Sequence, residues 1–417
     1  MVFGNSKFSI WLTNNCYILF SVLAFLTFYY DTSEIIRPVL LSVIAMLNVN
    51  SIKQGKINSV VFFYFIAAFL SLSGSIIRPY PISFFLTDMY WAYLPIIFYF
   101  IGNKSSDDYP IFYERSLWAF MFIFIVGFYF LVSPTERYIS KTIETLNLHS
   151  QYNEGTYMYA RFASFLDSYH TSNLGVCSLC FGFGLLKFRG NERMTLKVFA
   201  YFAIVVSFVA IMLAQQRAAM YVSVLLLMYY LIANSKRNKL GGVFTVVVLG
   251  LLLLIALNYY LSFFGEDFFE QITGRFSKES SSTVVSSRSN QWMRALEGFY
   301  MEPLFGLGVG SGGHLAVASG LEPVVTDGSY FKILLEGGLA SFIPFMIIMI
   351  SSLYRGFRMK EKYYVEFPLL LFFAFSLVGA NVIDMPYIIM FMWYVLGRIN
   401  RVETKRIIVQ NKYERTY

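Results

Sequence analysis

Cysteine, histidine and charge are all scarce in this sequence. Three cysteines, three histidines and a charged fraction of 14% serve a chain of 417 residues, and each shortage excludes something. Cys16, Cys177 and Cys180 make no disulfide framework. Cys177 and Cys180 form a C-x-x-C inside an apolar run, with no Cys/His pair at ligand spacing to complete a tetrahedral site, so they are expected to pack between helices as small residues. No H-E-x-x-H or other metal spacing occurs and no D-x-D falls in an outer loop, which disfavours a nucleotide-sugar transferase working through Mg²⁺. A P-loop and a G-x-S-x-G elbow are also missing. Neither a domain-sized repeat nor a Ser/Gly/Pro-rich linker divides the chain.

What is there in excess is apolar. Hydrophobic residues make up 57% of the chain and aromatic ones 19%, including 44 Phe and 31 Tyr; a water-soluble domain of this length could not hide them in one core. The fold class is therefore all-α, a polytopic integral membrane protein. Runs long enough to cross roughly 30 Å of hydrocarbon fall near 13–30, 57–75, 84–102, 117–133, 171–187, 196–214, 218–234, 241–264, 328–353 and 382–399, with shorter runs near 36–49 and 365–379. Together they predict about twelve spanning helices in a single bundle over 1–417. The first hydrophobic stretch lacks a small-residue cleavage site and is expected to remain as a signal-anchor helix.

The net charge of +8 does not imply nucleic acid, because most basic residues sit in short connections between apolar runs, as at Lys53 and Lys56, Lys187 to Lys197, Lys236 to Lys239 and Arg355 to Lys362. That asymmetry is a topology signal. It predicts both termini on the cytoplasmic side, a tail at 398–417, and two outer loops, 134–170 and 265–327, the larger lying between helices nine and ten. Within 265–327, the stretch Asn290 to Tyr300 sets Trp292, Leu296 and Phe299 on one face and Arg294 and Glu297 away from it, which predicts an amphipathic helix lying on the membrane surface.

The outer side collects the residues able to do chemistry. Arg217, in IMLAQQRAAMYVSVLL, falls in a very tight turn between two spanning segments, where an ionised group is costly unless paired or met by an anion. A functional cation is one reading, and an arginine snorkelling to headgroups is the other. Arg161 and Arg288 follow similar logic: guanidinium forks bind diphosphate bidentately and keep their charge, so two or three converging would hold a pyrophosphate headgroup. Arg275 reads as ordinary loop charge. The acid–base candidates are Asp167, His170, His314 and Asp327. Asp327 either caps the following helix or orients and deprotonates a hydroxyl. The run Phe305 to Gly313 lacks the strand and βαβ unit of a dinucleotide site. Gly308 and Gly310 there permit close approach of the backbone to a ligand, with amides aimed at an anion, or else simply make a flexible loop. Trp292 and Tyr330 offer stacking faces for sugars, or interfacial anchors.

In order and spacing these segments resemble one family. Gln216-Arg217-Ala218, Arg288-x-x-x-Trp292, Pro303 to Gly310, Asp327-Gly328-Ser329-Tyr330 and Leu335-Glu336-Gly337-Gly338, with Arg161 to Phe165 upstream, are similar to bacterial O-antigen polymerases and O-antigen ligases over roughly 155–345. The resemblance implies a GT-C-like glycosyltransferase of the bacterial inner membrane with a periplasmic active site and no cofactor or metal. Its partners would be membrane lipids, glycan repeat units carried on undecaprenyl pyrophosphate and a chain-length regulator protein. It also implies that Arg161, Arg217 and Arg288 bind the pyrophosphate and stabilise its leaving charge. Beside it, the reading of the residues themselves gives Arg217, Arg288 and Asp327 as the expected catalytic set, with Arg161, Asp167, His170, His314, Trp292, Tyr330, Gly308 and Gly310 expected to bind substrate. Ligases of the family are similar in carrying a His eleven residues before a Gly; here the residue eleven before Gly338 is Asp327, which favours a polymerase. A lipid-linked oligosaccharide flippase or other transporter is the reading from another class, but such carriers usually show related halves.

Overall fold

The protein is described here by a computed structural model. It describes residues 7–30, 36–48, 58–77, 81–105, 107–133, 135–136, 162, 164–166, 168–214, 216–235, 247–248, 251–252, 255, 278–312, 328–380 and 382–401. Among these, all regular structure is helical. In chain order come α1 (Lys7–Tyr30), α2 (Ile36–Leu47), α3 (Ser59–Ile77), α4 (Ile82–Asp88), α5 (Ile97–Lys104), α6 (Ile111–Val132), α7 (Ser168–Phe188), α8 (Met194–Ala214), α9 (Arg217–Ser235), α10 (Lys278–Met301), α11 (Ser329–Arg358), α12 (Glu366–Gly379) and α13 (Pro386–Ile399).

Six of the described helical segments are long and apolar enough to cross a membrane: α1, the α4–α5 pair, α6, α7, α8 and α11. The shorter runs expected near 36–49 and 365–379 are helices too, α2 and α12. Most of the expected span at 241–264 lies outside the described residues. The surface is apolar where lipid would touch it: Ile343, Ile347 and Ile350 form an exposed stripe on α11, and Phe62, Phe63 and Phe69 are exposed on α3. Such stripes suit hydrocarbon rather than water.

The expected span at 84–102 is not one regular helix. Between α4 and α5 the chain passes through a π turn (Met89–Tyr93) and a 3₁₀ turn (Leu94–Ile96) containing Pro95. Proline supplies no amide for an intrahelical bond, which accounts for the tightening at its position, and a π turn re-aims the residues beside it. Asp88 is the last residue before that turn.

The core is a slab of stacked and edge-on rings contributed by α1, α6, α7 and α13: Tyr17, Phe112, Tyr113, Phe120, Phe181, Phe391 and Tyr394. Helix pairs in lipid gain little from hydrophobic burial, so close backbone approach matters more. Helices α5 and α13 show this at Gly102 and Gly397, where an added Cβ would stand 2.2 Å from the Tyr394 carbonyl oxygen and 2.0 Å from that of Tyr99. Gly397→Leu is therefore expected to force α5 and α13 apart, at a cost of about 1–3 kcal/mol, read as a lower unfolding temperature in detergent. Cys177 and Cys180 are buried and unbridged in α7, as expected of packing residues.

The ends of the bundle differ in chemistry. At one end, Arg398 is buried against Glu366, which also accepts the Tyr113 hydroxyl at 3.1 Å. Arg398 further donates to the Ser105 hydroxyl at 3.0 Å and the Asp107 carbonyl at 2.8 Å. The sequence places Arg398 where the last span meets the tail, as a topological charge. It lies in the last turn of α13 with 6% of its surface exposed, because Glu366 at the start of α12 supplies the counter-charge that a buried guanidinium needs. The opposite end carries the candidate site.

Candidate functional site

The site end begins with a break in a helix. The break in α11 lies at Gly338, whose φ of 57° and ψ of −160° are not helical. That break releases two carbonyls and two amides from their i to i+4 partners, and unpaired backbone groups are costly anywhere in a protein, most of all near lipid. The glycine segment satisfies all four. The amides of Leu307 and Gly308 donate to the carbonyls of Leu335 and Glu336 at 2.7 and 3.0 Å, and the amides of Leu339 and Ala340 donate to the carbonyls of Pro303 and Leu304 at 2.9 and 3.0 Å. The segment thus enters the break as an insert of successive turns. Its approach is close enough to need glycine on both sides: an added Cβ on Gly306 would lie 2.5 Å from the Glu336 carbonyl carbon, and one on Gly338 2.5 Å from the Leu304 oxygen.

Between its start and the break, α11 buries charge. Lys332 is 1% exposed. Its ammonium contacts Asp88 at 2.8 Å, Asp384 more closely still, and Glu336 at 3.7 Å. Asp88 arrives from the end of α4. Asp384 arrives from the 3₁₀ turn Val382–Asp384, which is pinned to the start of α11 by Ser329: the Ser329 hydroxyl donates to the Ala380 carbonyl at 3.0 Å and accepts the Ile383 amide at 3.2 Å. Three carboxylates around one ammonium leave an excess of acceptors, and backbone dipoles meet part of it. The amides of Gly310 and Gly312 donate to Glu336 Oε1 at 3.2 and 3.1 Å.

Of the two readings of the glycine run, close approach by the backbone therefore describes Gly306, Gly308 and Gly310, all at positive φ. The anion their neighbourhood receives is the protein's own Glu336. The Gly308 and Gly310 amides are committed to that residue.

The helix expected near 290–300 is present but longer, as α10, and its apolar face rests on α11. Ala295 and Gly298 are buried while Arg294 and Glu297 are exposed. Trp292 stacks on Phe331 with ring centroids 5.0 Å apart and planes 12° from parallel. Its indole nitrogen lies beside Gly328, which occupies the N-cap position of α11. Arg288 stands one turn before Trp292 on the same helix. Tyr330 is turned toward α12, its hydroxyl donating to the Ala374 carbonyl at 3.2 Å. Both aromatic rings are thus held by protein contacts.

Arg217 is the first residue of α9, immediately after the turn that leaves α8 at Ala214. The tight turn expected here is present, and the guanidinium bearer is half-buried. A cation at a helix N-terminus gains nothing from the helix dipole, whose positive end it shares; an anion placed there would be attracted by both. Phe162, next to Arg161 in the chain, is bonded to the end of α8 beside this turn. The Phe162 amide donates to the Leu213 carbonyl at 2.9 Å, the Ser164 hydroxyl to the Ile123 carbonyl at 2.7 Å, and Ser172 on α7 is hydrogen-bonded to the Gln216 side chain. His170, also on α7, sets its ring edge-on to Tyr387 of α13, centroids 5.9 Å apart, and so joins the turn to the segment that carries Asp384. Arg161, Asp167, His314 and Asp327 lie outside the described residues.

The arrangement brings together the Arg217 turn, the neighbours of Arg161, His170 and the α10–α11 contact at one end of the bundle. Sequence reasoning missed Asp88, Lys332, Glu336 and Asp384 as a group. The signal was available: each is an ionisable residue inside or bordering an apolar run. Among the described residues, no cluster of His, Cys, Asp and Glu forms a metal-holding set.

A bundle of membrane-length helices with a broken helix, a glycine insert and half-buried arginine at one end defines an all-helical integral membrane protein with a polar site at one end. Comparison with known proteins makes this more specific. Residues 202–346 match the family model described as O-antigen ligase. Over 227 residues the chain is 27% identical to the O-antigen polymerase of Salmonella muenchen, a match covering 53% of this chain and 52% of that protein; it spans about half the length of this curated relative. The family resemblance carried by the motifs is therefore borne out. Arg217, Arg288, Trp292, Lys332 and Glu336 lie inside the matched segment, whereas Asp88 and Asp384 lie outside it.

Proposed function

We propose that this chain polymerises a surface polysaccharide: an integral-membrane, GT-C-like glycosyltransferase of about twelve helices, set in the bacterial inner membrane with its site toward the periplasm. It moves a growing glycan from undecaprenyl pyrophosphate to the non-reducing end of a newly delivered lipid-linked repeat unit, without a metal. The observation that carries the reading is Arg217 at a two-residue turn, half-buried and at the positive end of α9, a placement that favours an anion at membrane depth.

In the proposed reaction, Arg217, Arg161 and Arg288 bind the pyrophosphate and neutralise the charge that grows as its bond to the sugar anomeric carbon breaks. The acceptor hydroxyl oxygen forms the new bond to that carbon and gives its proton to Asp327, or to His314 if Asp327 only orients it. Asp167 and His170 would line the acceptor side. A chain-length regulator protein is the expected partner.

Ligation to lipid A–core is the second reading, favoured by the description of the matched family model and opposed by Asp327 at the position where ligases carry His. The test uses purified protein, synthetic undecaprenyl-pyrophosphate repeat units and EDTA, with products run on a gel beside an active control polymerase. A ladder is expected. No ladder from the authentic repeat unit would overturn the proposal. In a deletion strain, polymerised glycan still attached to lipid A–core would exclude the polymerase, and single lipid-linked units accumulating on the inner leaflet would point to a flippase.

A further inference from the structure

Glu336 is the residue at which the two unusual features of the site end meet. Its carbonyl accepts the Gly308 amide across the helix break, its carboxylate accepts the Gly310 and Gly312 amides, and that carboxylate is backed by Lys332, itself fixed between Asp88 and Asp384. Four separate parts of the chain are thereby tied: the end of α4, α11, the turn before α13 and the glycine insert. The insert continues directly from α10, the helix bearing Arg288 and Trp292. Helix α10 is therefore attached to α11 at two places, by Trp292 on Phe331 near its middle and by the insert beyond its C-terminus.

We propose that Glu336 is a positioning residue for the transferase site. Its carboxylate oxygen holds the Gly310 and Gly312 amides, seats the glycine insert in the broken helix, and so fixes where α10 carries Arg288 relative to the start of α11. The Lys332–Asp88–Asp384 group holds that carboxylate in place. An acceptor oxygen at the right reach, more than its negative charge, is what the insert requires. Calling the seated site catalytic rests on the polymerase reading; the seating itself does not.

Three variants separate reach from charge. Glu336→Gln keeps an acceptor oxygen at the same reach and loses the charge. Glu336→Asp keeps the charge and draws the oxygen back by about one bond length, roughly 1.5 Å. Glu336→Ala removes both. Hydrogen–deuterium exchange on the purified full-length protein in detergent reads the peptide covering 303–312, with the peptide covering 366–373 as a control for the fold. Exchange of the insert is expected to rise about tenfold in the Ala and Asp variants, the effect of losing one hydrogen bond per amide, and to stay near wild type in Gln, with the control peptide unchanged throughout. Unchanged insert exchange in Asp and Ala overturns the proposal, as does fast exchange in Gln with slow exchange in Asp. If the Ala variant does not fold, the Gln and Asp pair still decides.

Where the protein turns over lipid-linked units, kcat in the Asp variant should fall by about 10²-fold, the scale of a small misplacement, with KM for the donor nearly unchanged and recovery in Gln; loss in Gln equal to that in Asp counts against it. A wild type without polymerase activity would sink the functional reading and leave the exchange result standing.

Discussion

Arg217→Ala is expected to lower turnover of a pyrophosphate-linked donor by about 10²–10³-fold while leaving the fold intact, the scale seen when one preorganised donor to a developing anion is removed. Intactness is expected because Arg217 is only half-buried at the first position of α9, where alanine is a better helix former than arginine and relieves a cation set at the positive helix end. Arg217→Lys should recover part of the rate, since an ammonium keeps the charge and loses the bidentate fork. Initial rates with the synthetic repeat unit, beside a melting curve for each variant, check this. Full activity in the alanine variant would remove Arg217 from the mechanism. A large drop in melting temperature would mark it instead as structural.

The second large effect lies at the opposite end. Arg398→Ala leaves Glu366 buried, 1% exposed, with the Tyr113 hydroxyl as its remaining side-chain donor among the described residues, and breaking a buried pair in this way costs about 3–5 kcal/mol. The loss also frees the Ser105 hydroxyl and the Asp107 carbonyl, so α5, α12 and α13 would part together. Thermal unfolding in detergent, followed by fluorescence size-exclusion, should show a clear fall for Arg398→Ala. Arg398→Met combined with Glu366→Leu should recover most of it, because removing both charges removes the desolvation penalty as well. A double variant no better than the single would mean that the contacts to the Ser105 hydroxyl and the Asp107 carbonyl, not the pair, hold this end.

How much of this was legible beforehand depends on the range of the interaction concerned. Helices α6 to α9 follow their apolar runs closely because a run of about twenty apolar residues has few alternatives in a bilayer. The turn at Gln216 was legible for the same reason: Ala214 and Arg217 belong to two runs with too little chain between them for anything longer. In α10, Ala295 and Gly298 face inward and Arg294 and Glu297 outward, as the 3.6-residue period requires. Its partner was not legible, since an amphipathic face reads alike whether it meets lipid or another helix; Phe331 and the broken α11 decide for protein.

The candidate site divides along the same line. Arg217, Arg288, Trp292 and the glycine run stood out because each is locally odd: a cation in a tight turn, or five glycines in nine residues between Phe305 and Gly313. Asp88 and Lys332 are 244 residues apart, and Lys332 and Asp384 52 apart; single charges bordering apolar runs do not announce their partners. Arg398 is the converse case, since near Arg401 and Lys405 it reads as one more topological charge.

By itself, then, the sequence determined that this is a membrane-embedded helical bundle, where the turn before α9 falls, that Arg217 begins a helix there, and which family its motifs resemble. These are properties of hydrophobicity, period and local spacing, and they act over a few turns of chain. Only the tertiary structure decided that the glycine run repairs a broken helix, that its amides answer to Glu336, and that Lys332 gathers carboxylates from both sides of the matched segment. Those follow from two requirements that no local stretch can meet alone: buried backbone groups must find partners, and buried charges must find counter-charges, wherever in the chain these lie.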